Sequence, residues 1–199
     1  MLFKLPFRLL YNFPFRLGAM FFCLMLAFAA NHAYAYTADD DLADPKPHII
    51  RKLLLTAIES KKTTDSLYTS LAAVKSPSAL TSGYMATLEA LKAKHAWNPY
   101  YKVKYLNDCE KTFKAATHRD PHNIEIRFMR FSIEHNVPGF LGYNKNLEAD
   151  KAEIIKQLGH KHYAQADEAL VKTIINFLLE SKRCTTAETH SLKQYLAAL

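Results

Sequence analysis

The sequence predicts an all-α fold of about eight helices, arranged as a stack of helical hairpins or an irregular bundle. Three observations predict it. Apolar residues recur every three to four positions through nearly all of the chain after residue 46. No run alternates with period two over the length of a strand. Of the five glycines only Gly83, Gly139, Gly142 and Gly159 follow residue 35, so unusual backbone angles are confined to a few turns.

Residues 1–35 read as a secretory leader outside the fold. Lys4, Arg8 and Arg16 make a basic start, Leu17 to Ala30 is apolar throughout, and Ala33-Tyr34-Ala35 sets small residues at the −3 and −1 positions of a cleavage site. Cleavage is expected between Ala35 and Tyr36. The apolar run is shorter than the roughly 20 residues that span a bilayer, so cleavage is favoured over a retained anchor, and no stable membrane span is expected afterwards. Asp39-Asp40-Asp41 after the basic start suits export. The expected address is the periplasm or the exterior. Residues 36–46 form a polar lead-in, and 47–199 a single helical domain long enough for a real core.

The helices follow in order. Pro45 and Pro47 delay the first, whose stripe is Ile50, Leu53, Leu54, Ala57 and Ile58. A second runs from near Asp65 to Val74 on Leu67, Leu71 and Val74, and Ser76-Pro77 separates it from a third on Leu80, Tyr84, Leu88 and Leu91. "WNPYY" starts the fourth, with Asn98 at the N-cap and Pro99 in the first turn. "RDPHN" ends that helix and a fifth runs to about His135. Three more cover Leu147–Leu158, Ala166–Lys182 and Thr186 to the end.

The fifth segment is apolar on two faces. At about 100° per residue, Ile124, Phe128, Phe131 and His135 fall on one side, and Ile126, Met129 and Ile133 nearly opposite. Arg127, Arg130 and Glu134 share one narrow polar strip, Glu125 and Ser132 the other. Such a helix is predicted to lie between two neighbours, so its enclosed charges must be paired. The expected pairing is Arg130 with Glu134 at i, i+4, with Arg127 reaching a carboxylate on an adjacent helix. A ligand-binding reading of the two arginines is the alternative.

Composition excludes several functions. The 26 basic and 19 acidic residues give a formal charge of +7, which falls to about +4 without the three leader cations. The cations are dispersed, with short pairs such as Lys61-Lys62 and Lys182-Arg183, so no nucleic-acid partner is expected. HExxH, Cys-x-x-Cys, phosphate-loop and Gly-x-Ser-x-Gly motifs are absent, which leaves no metal, cofactor or catalytic residue to assign. His118 and His122 are split by Pro121, and His160-x-His162 sits in a polar linker. Cys109 and Cys184 could pair in an oxidising compartment, although Cys109 also suits the apolar stripe of its helix as a small buried hydrophobe.

The stretch "FKAATHRDPHNIEIRF" resembles the junction between successive tetratricopeptide repeats, without a second copy at a spacing of about 34 residues. From "WNPYYKVKYL" to "NKNLEADKAEII" the chain is similar to a family of exported bacterial helical proteins with no assigned activity. Pro121-His122-Asn123, Glu125-Ile126-Arg127-Phe128, and Pro138 with Phe140-Leu141-Gly142-Tyr143 carry that similarity. The resemblance implies export and a helical fold and transfers no catalytic residue.

One loop is unusual. In "VPGFLGYN" Pro138 ends a helix, while Gly139 and Gly142 bracket the apolar Phe140 and Leu141. These residues and Tyr143 are expected to fold back as a plug over the helix ends, with Asn144 or Asn146 capping the next helix. The alternative is a docking surface formed by Phe140, Leu141 and Tyr143, with Arg127 and Arg130 nearby. Together these features suggest an exported helical protein of the bacterial cell envelope that binds another protein. An envelope hydrolase using an Arg/Glu/His cleft beside the fifth helix is the second reading.

Overall fold

Polar side chains open most of the helices in the computed structural model, which describes residues 46–199. The expected leader, its cleavage between Ala35 and Tyr36, and residues 36–45 of the lead-in lie outside the described residues. Helix α1 (Pro47–Glu59) starts on a proline that needs no N–H partner. Ser60 opens α2 (Lys61–Ala72), its hydroxyl accepting from the Thr63 amide. Ser78 caps α3 (Ala79–His95) and Asn98 caps α4 (Pro99–Arg119) in the same way. Asn123 accepts from the amides of both Glu125 and Ile126 to start α5 (Ile124–Asn136). After a 3-10 turn (Gly139–Leu141) come α6 (Leu147–Gly159), α7 (Glu168–Glu180) capped by Asp167, and α8 (Thr186–Ala197). Thr185 and Glu188 close α8 with a reciprocal capping box. The described residues contain eight α-helices and no strand, as the apolar spacing predicts.

Helix α5 is shared by two cores. On one side Ile126 and Met129 pack with Ile50, Leu71, Tyr84, Leu88 and Phe113 from α1 to α4. On the other, Ile124, Phe128 and Phe131 pack with Ile154, Leu158, Ile174, Ile175, Leu178 and Leu192 from α6 to α8. The two faces read from the sequence are those two contacts. Each fully buried apolar side chain contributes about 1.5–3 kcal/mol, so α5 ties the two halves of the helical array together. The first core also draws α5 close to α3: a Cβ on Gly83 would lie 2.9 Å from Met129 Cε and 3.3 Å from Ile126 Cγ1.

The pairing considered for Cys109 and Cys184 is not made; both thiols are free. Cys109 sits in the first core and Cys184 at the margin of the second, so α5 and its neighbours keep them in separate packing environments. Burial pushes the Cys109 thiol well above its usual range, as befits a small hydrophobe. Leu53, assigned to the apolar stripe of α1, is instead exposed, as is Ile49.

Candidate functional site

The polar strips of α5 end in two buried networks. On one strip, Asp150 from α6 is fully buried and accepts from two guanidinium groups: Arg130 Nε at 2.7 Å and Nη2 at 2.6 Å, and Arg127 Nη1 at 2.8 Å. Arg130 Nη1 also donates to the Thr117 hydroxyl of α4 at 3.2 Å, and Arg127 Nε to the Pro121 carbonyl at 2.9 Å. On the other strip, Glu125 receives both Nε and Nη2 of Arg51 from α1, at 2.8 and 2.7 Å, and the Tyr84 hydroxyl of α3 at 2.7 Å. The hydrogen bond to Glu125 raises the Arg51 pKa above its ordinary value despite partial burial. Burial, then the adjacent Glu125 charge, raises that of Tyr84.

This corrects the expected pairing of Arg130 with Glu134. Asp150 lies between the two arginines and offers both oxygens, so a fork-to-fork contact replaces the weaker single-turn pair. Glu134 turns instead to Asn146, whose backbone N–H and side-chain amide donate at 2.8 and 2.6 Å. Asn146 therefore stands at the N-cap of α6 without bonding that helix through its side chain. Arg127 and Arg130 are committed to Asp150, which removes them from the proposed binding surface as free anion receptors.

The loop between α5 and α6 is clamped at its ends and bare at its crest. Val137 is buried, and its N–H donates to the Ile133 carbonyl at 2.9 Å. Hydrogen bonds from Leu141 to Pro138 and from Gly142 to Gly139, both 3.0 Å, hold the 3-10 turn. Gly142 then adopts φ 77°, a left-handed angle that suits glycine. The half-buried Tyr143 donates its hydroxyl to Asn107 Oδ1 of α4 at 2.7 Å, and Lys145 reaches Glu110 at 3.3 Å. Between these anchors Phe140 is 76% exposed and Leu141 38%.

The core plug expected of Phe140 and Leu141 is thus overturned. The space beneath the loop, lined by Leu106, Phe113, Ile133, Val137 and Tyr143, is a niche of about 20 Å³. That volume holds about one water molecule and cannot take a phenyl ring. The tight 3-10 turn also directs the crest outward.

A second, wider feature is a polar groove of about 400 Å³ where the α4–α5 turn meets the end of α6, lined among others by Asp120, His122, Asn123, Gln157, His160 and His162. His122 Nδ1 lies 2.7 Å from Glu153 Oε1, and Gln157 donates to the same oxygen at 2.6 Å. Burial pushes the Glu153 carboxyl up, but these hydrogen bonds together outweigh it and hold the group below its ordinary value. Neither Arg127 nor Glu134 lines the groove. Among the described residues no group of three or more His, Cys, Asp or Glu side chains could hold a metal ion. No helix among them is long and apolar enough to cross a membrane.

Comparison with family models, with curated proteins and with solved structures finds no match for this chain.

Sequence reasoning missed Arg51 and Asp150, and each had left a signal. Arg51 falls in line with Leu54 and Ile58, and Asp150 with Leu147, Ile154 and Leu158. A charge on an apolar stripe is enclosed when its helix packs and must therefore meet a partner.

Proposed function

We propose that this is an exported helical binding protein of a bacterial cell envelope, and that it holds a protein partner at the α5–α6 loop. The observation that carries the reading is the exposure of Phe140 and Leu141 on a loop clamped at both ends. A large apolar side chain presented in a fixed position is the form that interface anchors take, since a few aromatic residues dominate most interfaces. Preorganisation lowers the ordering cost of binding. The leader-like residues 1–35 support export.

The test is a photo-crosslinking amino acid placed at position 140 in the exported protein, with position 114, an exposed lysine of α4, as the control. A discrete adduct from 140 and none from 114 is expected. Equal labelling at both positions, or at neither, would remove the docking surface.

A further inference from the structure

The polar groove at the end of α6 holds more donors than its own acceptors engage. Its carboxylates are already served. Glu153 beside it meets His122 Nδ1 at 2.7 Å and the Gln157 amide at 2.6 Å, and Asp120 Oδ2 accepts from the Asn123 amide at 3.0 Å. The side chains of Lys156, His160 and His162 line the same groove and are exposed. None of the three makes a hydrogen bond or an ion pair among the described residues. Lys156 and His160 stand one turn apart, so they share a face at the end of α6. The His160 and His162 rings lie 5.7 Å apart between centroids, at 69° to each other.

These side chains are not needed to finish the helix. The carbonyls of Lys156, Gln157 and Leu158 accept from the backbone N–H groups of His160, His162 and Lys161 at 3.1, 3.0 and 3.1 Å, which closes the helix C-terminus through the main chain. The ammonium of Lys156 suits the carbonyl end of α6, but no carbonyl there requires it. The closure places Lys161 at φ 56°, and Ala164 follows at φ 52°. Both are left-handed angles that glycine adopts freely and other residues adopt at a cost. Two such residues within four positions fix the loop that carries His162 and Ala164 along the groove. Backbone strain of this kind gathers where a segment is shaped around a ligand.

We propose that this groove binds a small soluble phosphate monoester, with Lys156, His160 and His162 as the donors to its phosphoryl oxygens. A phosphoryl group brings close to two negative charges and three strong acceptor oxygens, which suits three donors better than the two oxygens of a carboxylate. Lysine serves such a group as a point charge. The groove volume of about 400 Å³ is that of a small-molecule site. Apart from Ala164 the lining side chains are polar, so an acyl chain would find no cover there and a lipid headgroup is the poorer source of the phosphate. A metal ion fits less well, because the His, Asp and Glu side chains described do not converge in a group of three.

The test is NMR on the protein carrying isotope-labelled histidine, titrated with glycerol phosphate at constant pH and ionic strength. Saturable shifts are expected at His160 and His162, and none with glycerol. His135, which packs against Phe131 and Phe177, should stay unmoved. Lys156→Gln, at an exposed position, should leave the circular dichroism spectrum unchanged and weaken binding about tenfold, the loss of one charge-assisted hydrogen bond. The proposal is overturned by the absence of a shift at both histidines, by an equal response to glycerol, or by Lys156→Gln binding as tightly as the native protein. Binding to phosphatidic acid vesicles without binding to the soluble ester would overturn it and assign the groove to a lipid headgroup. A response to zinc chloride and not to the ester would overturn it and assign the groove to a metal.

Discussion

Arg130 and Asp150 meet in a bidentate ion pair, with two contacts of 2.6 and 2.7 Å and a carboxylate that has no exposed surface. Arg127 adds a third contact to the same carboxylate at 2.8 Å. The cluster fixes α6 against α5 in one register. Its contribution to stability is smaller than its geometry suggests, because both ions were desolvated to form it.

Removing one side of this cluster leaves buried charge without a partner. Asp150→Ala is expected to cost about 3–5 kcal/mol. The triple variant Asp150→Leu with Arg127→Met and Arg130→Met should recover much of that loss, since no charge remains enclosed. Urea denaturation of the two variants checks this. A triple variant no more stable than Asp150→Ala would show that the pair contributes net stability.

The sharing of α5 by both cores makes a different prediction. Phe131→Ala, in the second core, should cost about 3–5 kcal/mol, and Ile126→Ala, in the first, about 2–5 kcal/mol. Each should lower a single common transition, because α5 belongs to both packing units. Two separate calorimetric transitions, with only one displaced by each variant, would mean that the cores unfold independently.

How much of this was legible in the sequence depended on whether the determinant was local. The Asn98 cap, the stop at "RDPHN" and the two apolar faces of α5 involve residues within a turn or two of one another, and all were readable. The start of α2 was read near Asp65, four residues late, because its first turn is polar and only the Ser60 hydroxyl marks it. Arg51 reaches Glu125 across 74 residues, and Asp150 outcompetes Glu134 for Arg130 only once α6 has docked. Phe140 was assigned to the core on its apolarity. Whether a ring finds room depends on the size of the niche below it, which three separate elements determine.

His135 gives the fold a pH dependence with a definite sign. Its ring stacks on Phe131, meets Phe177 edge to face, and accepts a hydrogen bond from Arg183 Nε at 2.8 Å. Burial, and then the Arg183 charge, hold its pKa below the ordinary value. The unfolded chain therefore takes up this proton first, and the stability contributed by the neutral ring is lost as the pH falls through about 6.5. Glu89 and Glu134, raised by burial, act in the opposite direction, so the comparison is with His135→Gln, which lacks the titration. The advantage of the native protein over this variant should shrink between about pH 7.5 and 5.5. A difference that stays constant across that range would contradict the assignment.

The central claim is that the crest of the α5–α6 loop faces a partner rather than the core, and Phe140→Ala tests it most directly. Thermal midpoint and retention of the crosslinked envelope partner are measured on the same preparation. The account predicts a midpoint displaced by less than about 2 °C, as for other exposed substitutions, together with loss of the partner. A midpoint lowered by several degrees with the partner retained would return Phe140 to the core and contradict the account.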